Sequence, residues 1–316
     1  MQEKLFRYNP LDNYEAFSNA KLEAYLKRIG VTHDQVVERD LSALNCIIDA
    51  HSRKIPFENG LLFFTDEKVA TGSDAAFEHI IGRNRGGYCF QVNTLLISAL
   101  LALKFDATAG VARSYVWDEV LQSWVNKGTT HMVVFVALSA EDPLYLVDVG
   151  FNQRGLTAAI PIKDGATISC AASEAHQIRT STLTGKGNWS LWHKRADWAP
   201  RADGVDPQGD GFGPMFYFTL ERYRPEDFRV LNYFVSHAIG NGNLMTSTFI
   251  VSIVTETGGR SVIVDKTFKR REDENHRELE RVVKMNSVEN LVDIMAEEFG
   301  IEMTEKEIAN AKLKFF

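Results

Sequence analysis

Three residues of this chain are of the types, and in the order, that nucleophilic chemistry needs: Cys89, His131 and Asp148, separated by 42 and 17 positions. Cys89 lies in Arg85-Gly86-Gly87-Tyr88-Cys89-Phe90-Gln91-Val92-Asn93, where a glycine pair runs into a long apolar segment. A thiol in the first turn of a helix meets unpaired backbone N–H groups and the positive end of the helix dipole, and both favour the nucleophilic thiolate. Such a thiol needs a base beside it and a third group to fix the imidazole tautomer. His131 opens the apolar run HMVVFVAL after Gly128-Thr129-Thr130, and Asp148 interrupts LYLVDVGF just before Gly150. A carboxylate within such a run is costly to bury alone, so Asp148 is expected to be paired.

Each residue alone has a plainer explanation: an inert buried thiol, a satisfied core histidine, a turn-forming aspartate. Together they match a helix-borne thiol facing a His/Asp pair on two strands, the order of papain-like architecture. His33, His51, His79, His176, His193, His237 and His276 lie mostly in helical, loop or charged contexts, which leaves His131 as the base. Cys46 (LNCIIDA) and Cys170 (ISCAAS) have apolar or small neighbours and no glycine turn, and both read as inert.

The elements that must position these groups follow from periodicity. Phe90 to Phe105 is apolar nearly all round and free of proline and glycine, which predicts a central buried helix. Before it, helices are expected from Tyr14 to Ile29 with Gly30 as the stop, from Asp34 to Ile48, and from Ser73 to Ile81 with Ser73 and Asp74 as caps. After Phe105, β-branched and aromatic runs alternate with turns: 108–117, 130–138, 144–149, 156–161, 176–183 and 188–193. They predict an antiparallel sheet or small barrel. Pro200 to Pro214 reads as a loop, Met215 to Leu220 as a strand and Pro225 to His237 as a helix. Thr248 to Thr255 and Arg260 to Thr267 read as a hairpin around Thr257-Gly258-Gly259. The charged run Glu272 to Lys284 is expected to be a solvated helix face, and Ser287 to Phe299 an amphipathic helix.

Composition bounds the partners. At 316 residues with 45% hydrophobic and 24% charged residues, the chain can build a large core. A net charge of -7 argues against nucleic acid or an anionic membrane as the main partner. Three widely spaced cysteines make neither a disulfide framework nor a zinc motif, and a metal is not expected. The N-terminus lacks the apolar core of a secretory signal, and no stretch reaches membrane-spanning length. A reducing, cytoplasmic setting is expected, with the oligomeric state left open.

RGGYCFQVN, GTTHMVVFV and YLVDVGF, with the upstream IPFENG at 55–60, resemble the arylamine N-acetyltransferases. The resemblance extends through FYFTLERYRPEDFRVLN (216–232) to the SVIV strand and the terminal helix, nearly the whole chain. It implies an α+β fold with a cysteine-protease-like Cys-His-Asp core: an N-terminal helical bundle over 1–105, a central antiparallel β-barrel over 106–222 and a C-terminal α/β lid over 223–316. It implies Cys89 as acyl acceptor, His131 as its ion-pair partner and Asp148 as the orienting carboxylate. It further implies an Arg85–Glu58 ion pair, an acceptor pocket lined by Phe57, Tyr88 and Phe151, and coenzyme contacts at Gly128, Thr129, Thr130 and Ser236.

The implied reaction is ping-pong acyl transfer from acetyl-CoA, with no permanently bound cofactor, to a small aromatic amine or hydrazine. Two segments depart from the family pattern: 236–248 is longer and lacks a proline, and the 200–214 loop is also long. Some fungal members use malonyl-CoA, whose extra carboxylate would need a cation such as Arg113 or Arg154. A transglutaminase-like or papain-like thiol hydrolase shares the Cys, His, Asp order, and a binding protein with a buried inert thiol is the non-enzymatic alternative.

Overall fold

Caps rather than periodicity set the helix boundaries in the first third of the chain. The computed structural model describes residues 14–118, 120–181, 188–194, 209–238, 243–272 and 281–316. Helix α1 (Asn19–Ile29) starts at Ser18, whose side chain accepts from the Lys21 amide, and stops at Gly30 with φ 74°. Tyr14 and Phe17, expected within this helix, are buried ahead of the cap. The helix expected over Asp34–Ile48 is divided: His33–Gln35 is a short 3-10 turn, and α2 (Leu41–Lys54) begins where the Asp40 carboxylate accepts from Ala43 N at 2.8 Å.

Strand β1 (Phe57–Glu58), α3 (Gly60–Phe64) and α4 (Ser73–Phe77) follow, α4 continuing as a π-helical turn over Glu78–Gly82. Gly72, at φ 122°, takes the cap position expected of Ser73. Helix α5 (Cys89–Ala102) is buried from Cys89 to Leu100 and packs against α1, α4 and the first two barrel strands.

Those strands open an eight-stranded sheet. In chain order it comprises β2 (Asp106–Asp118), β3 (Ser123–Ala137), β4 (Tyr145–Val147), β5 (Ile160–Pro161), β6 (Thr167–Cys170), β7 (Glu174–Ser181), β8 (Asn188–Lys194) and β9 (Gly213–Phe218). All its pairings are antiparallel, in the order β5-β4-β3-β2-β9-β8-β7-β6, and β5 approaches β7 so that the sheet curls into a nearly closed barrel. Phe135, Leu146, Ile160, Ile178, Leu191 and Phe216 fill its interior. Residues 200–208 of the expected loop lie outside the described residues, and Gly213 and Pro214 at its end belong to β9.

Helix α6 (Pro225–His237) and the single turn α7 (Leu244–Ser247) lead into a second antiparallel sheet. It holds β10 (Ile250–Val254), β11 (Arg260–Val264), β12 (Thr267–Arg271) and β13 (Arg281–Lys284), and β1 joins its free edge to give the order β1-β10-β11-β12-β13. The helix expected over Glu272–Lys284 is therefore corrected at its end, where Arg281–Lys284 pairs with Thr267–Arg270. Two β-branched residues carry the switch: Val283 packs on the sheet core while the charged neighbours stay outside, a charged edge strand of the usual kind. Residues 273–280 lie outside the described residues. Helix α8 (Val288–Phe299), capped by Ser287 and Gly300, and α9 (Glu305–Lys314) cover this sheet.

Among the described residues no helix is long and apolar enough to cross a membrane.

Candidate active site

At the glycine pair before α5, space and not an unusual backbone angle requires the missing side chain. A Cβ on Gly86 would stand 2.1 Å from the Pro56 carbonyl oxygen, because Gly87 donates to that oxygen and accepts from Glu58 N. The loop therefore lies against β1 and delivers Cys89 to the first position of α5. Behind it the expected Arg85–Glu58 pair is present at 3.6 Å, and Arg85 also reaches Glu307 of α9 at 2.9 Å. Glu58 is fully buried. Burial alone would raise its pKa, but His79, Arg85 and the Gly60 amide hold it down at about 2.

Cys89, His131 and Asp148 come together, all buried. His131 Nε2 is 2.6 Å from Asp148 Oδ2, which leaves Nδ1 for the Cys89 thiol. Burial opposes protonation of this imidazole, yet the charge and hydrogen bond of Asp148, with Cys89 behind them, push its pKa up to about 10. The ring is therefore an imidazolium at neutral pH. Phe151 stands edge-on to it at 4.9 Å and Phe216 of β9 lies at 5.2 Å, and the two phenyl rings, 5.1 Å from each other, pack together beside the imidazole.

Asn93 was not singled out from the sequence, although it lies one helical turn beyond Cys89 and on the same face. Its amide nitrogen donates to Asp148 Oδ1 at 3.1 Å and to the Met132 carbonyl at 2.7 Å, and its oxygen accepts from Val149 N. Asp148 Oδ1 also accepts from Gly150 N at 2.8 Å. One side chain thus ties the nucleophile helix to both strands that carry the His/Asp pair. Its type and place in a mostly apolar helix marked it only as a polar group that burial would oblige to find partners. Gly150 has no room for a side chain, since a Cβ there would lie 2.7 Å from Cys89 Cα and 2.9 Å from Asn93 Nδ2.

The remaining expected residues are spread around this centre. Phe151 lies beside His131, whereas Phe57 and Tyr88 are buried next to the Cys89 loop. The Tyr88 hydroxyl donates to Asn232 Oδ1 of α6 at 2.5 Å and faces Ser236. Ser236, in the last turn of α6, donates to the Asn232 carbonyl. Gly128, Thr129 and Thr130 lie on β3, against which α6 packs, and the Thr130 carbonyl is 4.0 Å from Cys89 Sγ. Arg113 stands opposite Thr129 on β2. Arg154 lines a separate cavity with Glu174 and His193.

A family model described as N-acetyltransferase matches residues 40–308. The arylamine N-acetyltransferase 2 of Mus musculus is 26% identical over 93% of this chain and 99% of its own length. The arylamine N-acetyltransferase of Mycolicibacterium smegmatis is 27% identical over 89% and 92%. Two solved structures of the Mycobacterium marinum arylamine N-acetyltransferase, the second in complex with CoA, superpose with TM-scores of 0.77 and 0.75. Each is 20% identical and covers 93% of this chain and 100% of its own.

Proposed function

The chain belongs to the arylamine N-acetyltransferase family, and from that premise we propose that it moves the acetyl group of acetyl-CoA to an aromatic amine or hydrazine through an acyl-cysteine on Cys89. The observation that carries this reading is the buried 2.6 Å His131–Asp148 pair presented to a thiol at the start of α5.

Each half-reaction then has its proton. The Cys89 sulfur attacks the thioester carbonyl, and the new C–S bond forms as the bond to the coenzyme sulfur breaks. The departing coenzyme thiolate takes the proton held by His131. An amine next attacks the acyl-cysteine, the C–S bond breaks, and His131 accepts the amine proton as the sulfur is regenerated. Backbone N–H groups of the first turn of α5, ahead of the helical ladder that begins at Gln91 and Val92, suit the developing oxyanion. Asp148 holds the imidazole and its charge throughout.

Gly128, Thr129 and Thr130 of β3 and Ser236 of α6 would hold the coenzyme, a reading supported by the packing of α6 on β3 and by the 4.0 Å approach of the Thr130 carbonyl to Cys89 Sγ. Phe151, with Phe57 and Tyr88 behind it, would shape the amine side. Three units, 1–105, 106–222 and 223–316, supply the thiol, the His/Asp pair and the cover, and the cytoplasm is the setting proposed for them.

Intact mass measured after mixing with acetyl-CoA tests the proposal. One acetyl group should appear on Cys89, vanish when an aromatic amine is added, and never form on the Cys89→Ser chain; a thiol hydrolase would gain no acyl mass. Malonyl-CoA is the second donor to compare, because Arg113 stands opposite Thr129 in the barrel. A mass gain from malonyl-CoA that is lost in Arg113→Ala would assign the donor to that cation.

A further inference from the structure

Away from Cys89, strand register places a second cysteine and histidine on one face of the barrel's edge. Cys170 ends the edge strand β6 opposite Glu174, Ile168 stands opposite His176, and His176 opposite His193 on β8. Residues paired across antiparallel strands share a face and diagonal neighbours are within reach, so Cys170, Glu174, His176 and His193 form one cluster.

His176 is fully buried. Its Nε2 donates to the Arg154 carbonyl at 3.0 Å, and its Nδ1, the atom left for the thiol, is buried without a hydrogen-bond partner of ordinary geometry. The His176 and His193 rings lie 5.0 Å apart. Cys170 itself is partly exposed. Among the described residues no three His, Cys, Asp or Glu side chains are arranged to hold a metal.

The same face borders a cavity of about 510 Å³ lined by Glu174 and His193 together with Arg154, Arg260, Lys269 and Arg271. Glu174 accepts from Arg260 at 2.9 Å and from Arg271 at 2.5 Å, and among the described residues of the wall it is the one carboxylate beside four cationic side chains. Such a wall attracts anions.

We propose that Cys170 is a second reactive thiol, set beside His176 at the margin of a basic cavity, and that it exchanges with low-molecular-weight disulfides bearing carboxylates. The Cys170 thiolate attacks one sulfur, the S–S bond breaks, and a mixed disulfide forms. The other half leaves as a thiolate and takes a proton from water, so the disulfide is itself the oxidant. Burial would raise the Cys170 pKa, but the charge of the neighbouring His176, with Thr157, brings it down to about 7. For His176, burial opposes protonation, Cys170 and Glu174 favour it, and Arg260 works against it. A thiol whose pKa lies near the ambient pH is the best placed to exchange.

The Cys89→Ser chain, treated with glutathione disulfide and in parallel with the cationic cystamine, tests this by peptide mapping. Expected is one mixed disulfide, on Cys170, with a rate midpoint near pH 7. Glutathione disulfide should react about tenfold faster than cystamine at low salt, and the gap should close as salt is added. His176→Gln, its fold checked by circular dichroism, should slow Cys170 to the rate of the partly exposed Cys46. Equal rates at Cys46 and Cys170, a midpoint at about 8.5 as for a free thiol, or no preference between the two disulfides overturns the proposal. The pH midpoint and the charge preference decide it even where the His176→Gln chain does not fold.

Discussion

At the scale of single residues, the triad is held by contacts that do not touch a substrate. Asp148 accepts from His131, Asn93 and Gly150, and Asn93 is the one of these that also grips the strand carrying His131. Asn93→Ala should therefore act on geometry. It removes one donor from a buried carboxylate and leaves the Met132 carbonyl short of a partner, a loss of roughly 1.5–3 kcal/mol. The acylation rate should fall about ten- to a hundredfold with KM for acetyl-CoA little changed, and the pH at which Cys89 alkylation is half-maximal should move; stopped-flow acylation and iodoacetamide labelling would read both. An unchanged pH profile with lowered stability alone would mean that Asn93 only packs. Gly150→Ala is a sharper steric test, because its methyl group would collide with Cys89 Cα and Asn93 Nδ2 at once. Activity should be lost even where circular dichroism reports a native fold. Residue types made Cys89, His131 and Asp148 readable in the sequence. Asn93 was not, since an amide in a helix announces no chemistry until its partners are known.

At the scale of elements, what could be read was what is written locally. Gly30 stopped α1 as expected, and alternation and β-branching located most barrel strands, whereas α1 and α2 start at the Ser18 and Asp40 caps and not at the expected Tyr14 and Asp34. What stayed hidden is written between distant segments. Strand β1 joins the second sheet only because Phe57 and Glu58 meet Ser252 and Val251. The glycines at 86 and 87 answer to the Pro56 carbonyl and the Gln91 side chain. Cys170 gains its histidine from the register of β6 against β7, which composition cannot foretell. The same is true of α9, whose Glu307 accepts from Arg85 across 222 positions and also closes its own capping box with Thr304. Glu307→Ala strips a buried guanidinium of its better-placed carboxylate. Breaking such a pair costs about 3–5 kcal/mol when nothing replaces it, and somewhat less here because Glu58 remains 3.6 Å away. Urea unfolding should show that loss, and acylation should slow because Arg85 anchors the loop that leads into Cys89. Full stability and full activity in Glu307→Ala would show that the terminal helix is a passive cover.

At the scale of the whole molecule, helices, barrel and second sheet meet at buried charges, so stability must follow pH from both sides. Glu58 has a folded-state pKa of about 2 against an ordinary 4.5, because His79, Arg85 and the Gly60 amide outweigh its burial. A depressed carboxylate stabilises above its unfolded pKa, and the contribution is lost as pH falls from 4.5 through 2. Glu174, which joins the barrel to Arg260 and Arg271 of the second sheet, is depressed as well: burial opposes this, and Arg260, His193 and Arg271 overcome it. Buried His51 and His193 add to the acid limb, since burial holds both at about 3 and they stay neutral while the unfolded chain takes up protons below 6.5. His131 has the opposite sign. Its folded-state pKa of about 10 lies above the ordinary 6.5, so its protonated form stabilises fully below 6.5 and that share disappears as pH rises through 10. The two limbs together predict a maximum at about pH 6.5 with decline on either side. Urea unfolding measured between pH 3 and 10 would map it. Glu58→Gln should flatten part of the acid limb and His131→Gln most of the alkaline limb, each by on the order of 2–3 kcal/mol between maximum and limit. The alkaline limb of stability and the alkaline loss of acylation should share a midpoint, because the imidazolium that braces Asp148 is also the acid that serves the coenzyme. If His131→Gln leaves the alkaline limb in place, the charge that holds the barrel to the nucleophile helix resides elsewhere.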